Sequence, residues 1–539
     1  MNRTVEKAPH GKQLPADVTD GTVEETSLED EDDAVLRANG HEAVMPRQFN
    51  WISALGLGFS ITNSWIGYLS NFGQNLSYVG VLGCIVCLVL GWAIQLVITL
   101  GLAELASAFP SSGGQYHFCY ILSSKSTRKY NAYIVGWLSV LAWWSATCSG
   151  ISLGAIFLQG IVSYYIPGYE ATQWRTYLIF LAIAVSTLIP LFVAPTKMSW
   201  VTQLTLSLTL AGYLVYLITA LAMHDHVQGK SFAVASNQAN SGWNSGAAWL
   251  LAISNAMYAF ASADGAIHIS EEIPRPGRRV PQIMIMTEVI GIVTSLTMIV
   301  VLLYFAHDYE AIRDSPLPSL ELVYQVSVCY WVFLAGALTF INRTGSRNAT
   351  LGLLILLWAI YVSCIPPQWV TSGRIAWALA RDGGTPFPEY FTKISPRLDF
   401  PVRTTLASFG FCSIYGLLYL ASTTAFNSII NAAVLFLNLT YIIPQGLLLL
   451  RGRSYLPKRY FNLSWVGYIC NVFSVIWLFF QVALNCMPPH LPVTLQSMNY
   501  NSVVLTGVLV IVNVLWFVAG RHTFQGPQID AHALRLGGL

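Results

Sequence analysis

Trp51–Ser70 reads WISALGLGFSITNSWIGYLS, and Ala247–Ile269 reads AAWLLAISNAMYAFASADGAIHI. Each is long enough to cross a bilayer as a helix. Each is also broken near its middle by small and polar residues, Ser60-Ile61-Thr62-Asn63-Ser64 in the first and Ser262-Ala263-Asp264-Gly265 in the second. Hydrocarbon offers the backbone no hydrogen-bond partner, so a break at that depth must face protein or a water-filled cavity. Two interrupted spans, one opening each half of a long apolar chain, mark a solute site at mid-membrane.

The rest of the chain fits that reading. Hydrophobic residues make up 54% of the 539 and charged residues only 10%, against roughly 25% charged in soluble domains. Apolar runs suitable for spans recur at Trp51–Ser70, Val79–Ala103, Ile134–Tyr165, Thr176–Val193, Trp200–Met223 and Ala247–Ile269. They continue at Ile283–Ala306, Leu351–Leu379, Val402–Leu420, Phe426–Leu450, Trp465–Cys486 and Val503–Gly520, which makes twelve. An all-α integral membrane protein is expected, with a polytopic domain over 49–520 and a short tail over 521–539. Residues 1–48 carry the acidic run Glu29-Asp30-Glu31-Asp32-Asp33 and no apolar h-region. They read as a disordered tail of unknown partner and not as a signal peptide. The net charge of +2 argues neither for nor against nucleic acid, and no nucleic-acid partner is expected.

Basic residues set the orientation. With the N-terminus inside, cytoplasmic loops receive Lys125, Arg128, Lys129, Lys197, Arg275, Arg278 and Arg279. They also receive Arg374, Arg381, Lys393, Arg397, Arg403, Arg451, Arg453, Lys458 and Arg459. Outside loops hold Arg175, Lys230, Arg313 and Arg347. Both chain ends are then cytoplasmic. The nine cysteines are scattered and suggest no disulfide framework. Asn75-Leu76-Ser77 and Asn348-Ala349-Thr350 are sequons in expected outside loops. No P-loop or HExxH pattern occurs, so an ATP-driven pump is not supported, and no enzyme activity is expected.

Four motifs in order carry a family resemblance. Gly101-Leu102-Ala103-Glu104-Leu105-Ala106-Ser107, then Pro110 and Gly113-Gly114-Gln115-Tyr116-His117, resembles the loop after the second span of amino acid–polyamine–organocation permeases. Ser270-Glu271-Glu272-Ile273-Pro274-Arg275-Pro276 with Arg278-Arg279-Val280-Pro281 is similar to the loop after their sixth span. Ser372-Gly373-Arg374 with Ala378-Leu379-Ala380-Arg381-Asp382-Gly383-Gly384 resembles the end of their eighth. With Thr62-Asn63-Ser64-Trp65, the set is similar to the fungal amino acid/choline transporter family, which includes GABA and choline permeases. The resemblance implies a leucine-transporter-type fold, with spans 1–5 and 6–10 as inverted repeats and spans 1 and 6 discontinuous. It also implies proton-coupled symport in the plasma membrane, with the vacuolar membrane as the other location, and no cofactor.

Candidate roles follow from residue chemistry. At the first break, amides of the inner half-helix's N-terminus can face a substrate carboxylate, with Ser60, Thr62 and Asn63 completing the cradle. Asp264 is an ionisable group at mid-membrane and a functional candidate by position; it can meet a substrate ammonium, carry the coupling proton with His268 one turn on, or hold the broken helix. Ser262 adds a polar group at the same break. Trp65, Trp143, Trp144, Tyr258 and Phe260 offer aromatic faces to an ammonium, and Phe260 is also a candidate outer gate. Glu104, Glu271, Glu272, Arg374, Arg381 and Asp382 fall near cytoplasmic ends of spans, where ion pairs can close an inner gate. The expected activity is import of a small amine-bearing solute by alternating access, spans 1, 2, 6 and 7 rocking against spans 3, 4, 8 and 9. The alternatives are a nutrient sensor signalling through its tail and an exporter of a specialised amine.

Val326–Arg343, VSVCYWVFLAGALTFINR, lies between spans 7 and 8 and is nearly long enough to cross. Crossing would put the later basic loops outside, against the charge rule. Val326-Ser327 can be encoded GTAAGT, Leu338-Thr339 admits CTGAC, and Asn342-Arg343 admits an ACAG ending. The segment therefore reads as a retained intron or as an insertion in an outside loop.

Overall fold

The computed structural model describes residues 32–530, apart from 167, 225–226, 230–238, 316, 328–346, 422 and 495–497. The described elements are helical. After α1 over 32–38 come α2 (Trp51–Thr62), α3 (Ser64–Ala108), α4 (Gln115–Leu122), α5 (Arg128–Tyr165), α6 (Gln173–Val193) and α7 (Met198–Met223). Next are α8 (Ser245–Ala256), two 3-10 segments (Met257–Phe260 and Ala263–Glu272), α9 (Pro276–Phe305), α10 (Tyr309–Asp314) and α11 (Pro318–Ser327). The chain closes with α12 (Arg347–Ser363), α13 (Ile365–Arg381), α14 (Pro388–Phe391), α15 (Val402–Gly416), α16 (Leu418–Ala421), α17 (Thr423–Arg451), α18 (Ser464–Cys486) and α19 (Asn501–Leu515).

Ten helical stretches among the described residues are long and apolar enough to cross a membrane. The first, Trp51–Ala108, has 58 residues, roughly 87 Å of helix, and so holds two crossings of a core about 30 Å thick. Gly80, at φ 69°, bends the chain between them. A further crossing is shared by α15 and α16, which meet at Leu417. Twelve spans result among the described residues, and the protein is an integral membrane protein.

The expected loop around Asn75 is absent. Asn75 is a wholly buried helical residue; its amide donates to the Tyr68 hydroxyl at 3.1 Å and its Oδ1 accepts from Asn255 at 2.8 Å. That sequon is closed to glycosylation. Of Val326–Arg343, Val326 and Ser327 end α11, and 328–343 lie outside the described residues, as do residues 1–31 of the acidic tail.

Both breaks are present, and the first is narrow. α2 ends at Thr62, Asn63 alone takes a left-handed conformation (φ 37°), and α3 starts at Ser64. Asparagine tolerates that region better than most residues. At the second, α8 tightens into Met257–Phe260, Ala261 is extended, and Ser262 is left-handed at φ 77° before the segment Ala263–Glu272.

Packing divides the spans into two bodies. α3 lies against α8 and α9, and α2 against α7 and α9; α5 lies against α6, α13, α15 and α17. Trp465, Ile476, Phe479, Val503 and Val510 on α18 and α19 turn outward, as lipid-facing residues do. The first and last described segments meet at one end of the bundle: the Asp530 amide donates to Ala38 O at 3.0 Å, and the Gln525 amide to Asp382 O at 3.1 Å. Glu271 and Glu272 meet Arg381 and Arg374 at this same end.

Candidate functional site

A cavity enclosing about 690 Å3 of space, part of it open solvent, lies between the two bodies and touches both breaks. Thr62, Asn63 and Ser262 line it from the breaks, with Ser149 and Tyr258, and with Tyr361, Cys364 and Gln368 at the junction of α12 and α13. No Asp, Glu, Lys, Arg or His is among its lining residues.

Its polar groups are unevenly satisfied. The Asn63 amide donates to Cys364 Sγ at 3.1 Å, while its Oδ1 has no partner among the described residues. Gln368 Oε1 is likewise unpaired. The Tyr258 hydroxyl meets Ser149 Oγ at 3.1 Å, and the Tyr361 hydroxyl donates to Ile66 O at 3.4 Å. Thr62 donates back to Gly58 O at 3.1 Å, so its hydroxyl serves its own helix. The half-helix whose N-terminus meets the break is α3, the second in chain order. With the N-terminus inside, that is the outer half, which corrects the sequence expectation of an inner one.

Other sequence candidates lie outside the cavity wall. Ser60 is buried with an unpaired hydroxyl. Trp65 packs against Tyr213 and Tyr216, with ring centroids 6.1 and 5.9 Å away. Phe260 is wholly buried beside Gly291 of α9. Trp144 donates to Ser372 O at 3.4 Å.

Asp264 is 1% exposed and faces protein on every side. Its Oδ2 accepts from Gln115 Nε2 at 2.6 Å and Trp143 Nε1 at 3.3 Å, and its Oδ1 from the Tyr441 hydroxyl at 2.5 Å. His268 Nε2 stands 3.2 Å from Oδ2, and His268 Nδ1 stands 3.0 Å from Ser112 O. A carbonyl only accepts, so Nδ1 carries hydrogen. Asp264 thereby ties the second break to α4, α5 and α17. Gln115 and Tyr441 were not singled out by sequence, because they reach Asp264 from distant segments.

Deeper along α13 the chemistry changes. Arg374 and Arg381 follow Gln368 by about 9 and 20 Å of helix. Arg374 grips Glu272 through Nε at 2.7 Å and Nη2 at 3.0 Å; Arg381 grips Glu271 at 2.9 and 3.0 Å. Gln48 adds a 2.7 Å bond to Glu272, and the Ser112 amide a 3.0 Å bond to Glu271. Asp382 receives the Tyr116 hydroxyl at 3.0 Å and faces His41 at 3.3 Å. These groups lie between the cavity residues of α13 and the end of the bundle where Ala38 and Asp530 meet. Glu104 lies apart from them, paired with Arg453 and Arg459.

The sequence profile of the family described as amino acid permease matches residues 49–510. A choline transporter of Saccharomyces cerevisiae is 28% identical over 93% of this chain and 86% of its own length. A swainsonine transporter of Arthroderma benhamiae is 27% identical over 92% of this chain and 96% of its own, and amino-acid permease 2 of Neurospora crassa is 27% identical over 93% and 90%. Among solved structures, a manganese transporter of Eremococcus coleocola superposes with a TM-score of 0.51 at 13% identity, covering 94% of this chain and 97% of that one. That likeness shows the fold alone, the leucine-transporter type with two broken helices. Placed by its sequence from residue 49 to 510, the chain belongs to the amino acid permease family.

Proposed function

We propose that this membrane transporter imports a small amine-bearing solute, an amino acid, GABA or a choline-like amine, by proton-driven alternating access across the plasma membrane. The observation that carries this reading is the cavity at both breaks, walled by neutral amides, hydroxyls and tyrosine rings. The α3 N-terminus suits a carboxylate, the rings of Tyr258 and Tyr361 suit an ammonium, and the unpaired oxygens of Asn63 and Gln368 suit N–H donors. The tail end is the cytoplasmic one in this reading, by the distribution of Lys and Arg. The α2, α3, α8 and α9 body rocks against the α5, α6, α13 and α15 body, and the Glu271–Arg381 and Glu272–Arg374 pairs part as the inner end opens. The Asp264–His268 contact, with His268 also meeting Ser112, fastens that closed end.

The experiment is uptake of a labelled panel (GABA, neutral and basic amino acids, choline, polyamines and swainsonine) into proteoliposomes, with and without an inward proton gradient. Gradient-dependent accumulation of at least one amine is expected. Accumulation of none, with protein inserted, sinks the reading. A specialised amine as cargo is favoured over a nutrient only if swainsonine alone accumulates, a reading suggested by the relative of that name.

A further inference from the structure

α9 crosses the membrane domain as 30 residues, and Glu288 is the one charged residue in it after Arg279. It lies about 14 Å of helix beyond that arginine and is wholly buried. Its Oε1 accepts from Thr99 Oγ1 on α3 at 3.1 Å, and its Oε2 has no partner among the described residues. No described lysine, arginine or histidine pairs with it.

The contrast with Asp264 is chemical. Four side chains address the Asp264 carboxyl, so its charge is compensated in place. Glu288 has one hydroxyl. An ionised carboxylate so enclosed has too few donors, and uncompensated charge in a span is costly. A protonated carboxyl instead offers an O–H donor. Groups without partners among the described residues lie beside it in the chain or one turn from its donor: both amide atoms of Gln95, one turn before Thr99, and the hydroxyl of Thr287, which abuts Gly58 of α2.

We propose that Glu288 is a proton-binding site in the seam of α2, α3 and α9, apart from the substrate cavity, and that it is the group loaded and unloaded in each cycle. The inference rests on the proton-coupled reading above. In the step, hydronium on the acidic side loses a proton to the carboxylate, so its O–H bond breaks and leaves water as the carboxyl O–H forms; that bond then breaks to water on the other side, which becomes hydronium. The seam joins α2, half of the first broken span, to α9, so movement of α2 governs water access. Titratable and charged groups on the surrounding elements include Asp264 and His268, Tyr441 on α17, Tyr213 on α7, which meets Thr297, Arg278 and Arg279 at the start of α9, and Glu104, Glu271 and Glu272, each held by arginine.

The test is Glu288→Gln in proteoliposomes, with counterflow exchange as the readout of folded protein and infrared spectra of the protonated-carboxyl band. Expected are a fall in accumulation of at least about tenfold, a residual flux indifferent to pH, measurable exchange, and loss of one carboxyl band. Parental accumulation with parental pH dependence, or an unchanged spectrum, overturns the proposal. If Glu288→Gln does not insert, Thr99→Val, which keeps the acid, decides: a displaced band and pH profile support the site, and neither moving overturns it. Parental uptake that ignores the proton gradient defeats the coupling reading instead, and leaves the infrared result to judge whether Glu288 holds a proton.

Discussion

Asn63, Tyr258, Tyr361 and Gln368 give the cavity amides, hydroxyls and rings; about two to four turns further along α13, Arg374 and Arg381 clamp two buried carboxylates. A neutral polar wall can hold a solute without first breaking an ion pair. A buried ion pair is poor net stabilisation, yet breaking it on one side leaves an uncompensated charge. Such pairs suit a surface that must close in one register and part as a unit when both charges reach water together. The two regions thus divide the work into holding and closing.

The largest effect should come from cutting one partner of the closing pairs. Arg374→Ala strands Glu272 and should cost about 3–5 kcal/mol, read as a large loss of thermal stability in detergent; Glu272→Gln with Arg374→Met should recover most of it. Equal losses in the single and double variants would mean that packing and not charge holds this end. Next, Asp264→Asn weakens bonds that the carboxylate accepts, each worth about 1.5–3 kcal/mol. Accumulation should fall at least tenfold while surface expression holds; normal pH-dependent uptake would free Asp264 from any essential part. In the cavity, Asn63→Gly keeps the left-handed backbone and removes the amide. A several-fold rise in KM, near 1 kcal/mol, is expected with little change in stability, and an unchanged KM would move the site elsewhere. The smallest effect is expected for Trp65→Phe, whose indole nitrogen has no partner and whose ring faces α7. KM should stay within about twofold; a larger change would bring Trp65 back to the solute.

Both broken spans were legible because small polar residues interrupt runs that are otherwise apolar, a local signal. The faces of Trp65 and Phe260 were not, because a break resets helical phase and adjacency to it no longer predicts orientation. Arg374, Arg381, Glu271 and Glu272 were legible as a group near span ends, but their pairing was not, since it depends on how α13 meets the segment after the second break. Asn75 was misread as a loop residue because helix continues to Gly80, where the chain bends. Glu288 was in plain view as a lone acid in an apolar span and drew no inference, for the sequence alone does not say whether such a group has a partner.

The sequence by itself determined the membrane class, the number of spans, the two breaks and the family, because bilayer thickness and backbone hydrogen bonding act on each segment separately. Only the tertiary structure decided that Asp264 is enclosed by Gln115, Trp143, Tyr441 and His268 while Glu288 keeps a bare oxygen. The electrostatic state of a buried acid is set by donors within a few ångströms, and here those donors come from helices far apart in the chain.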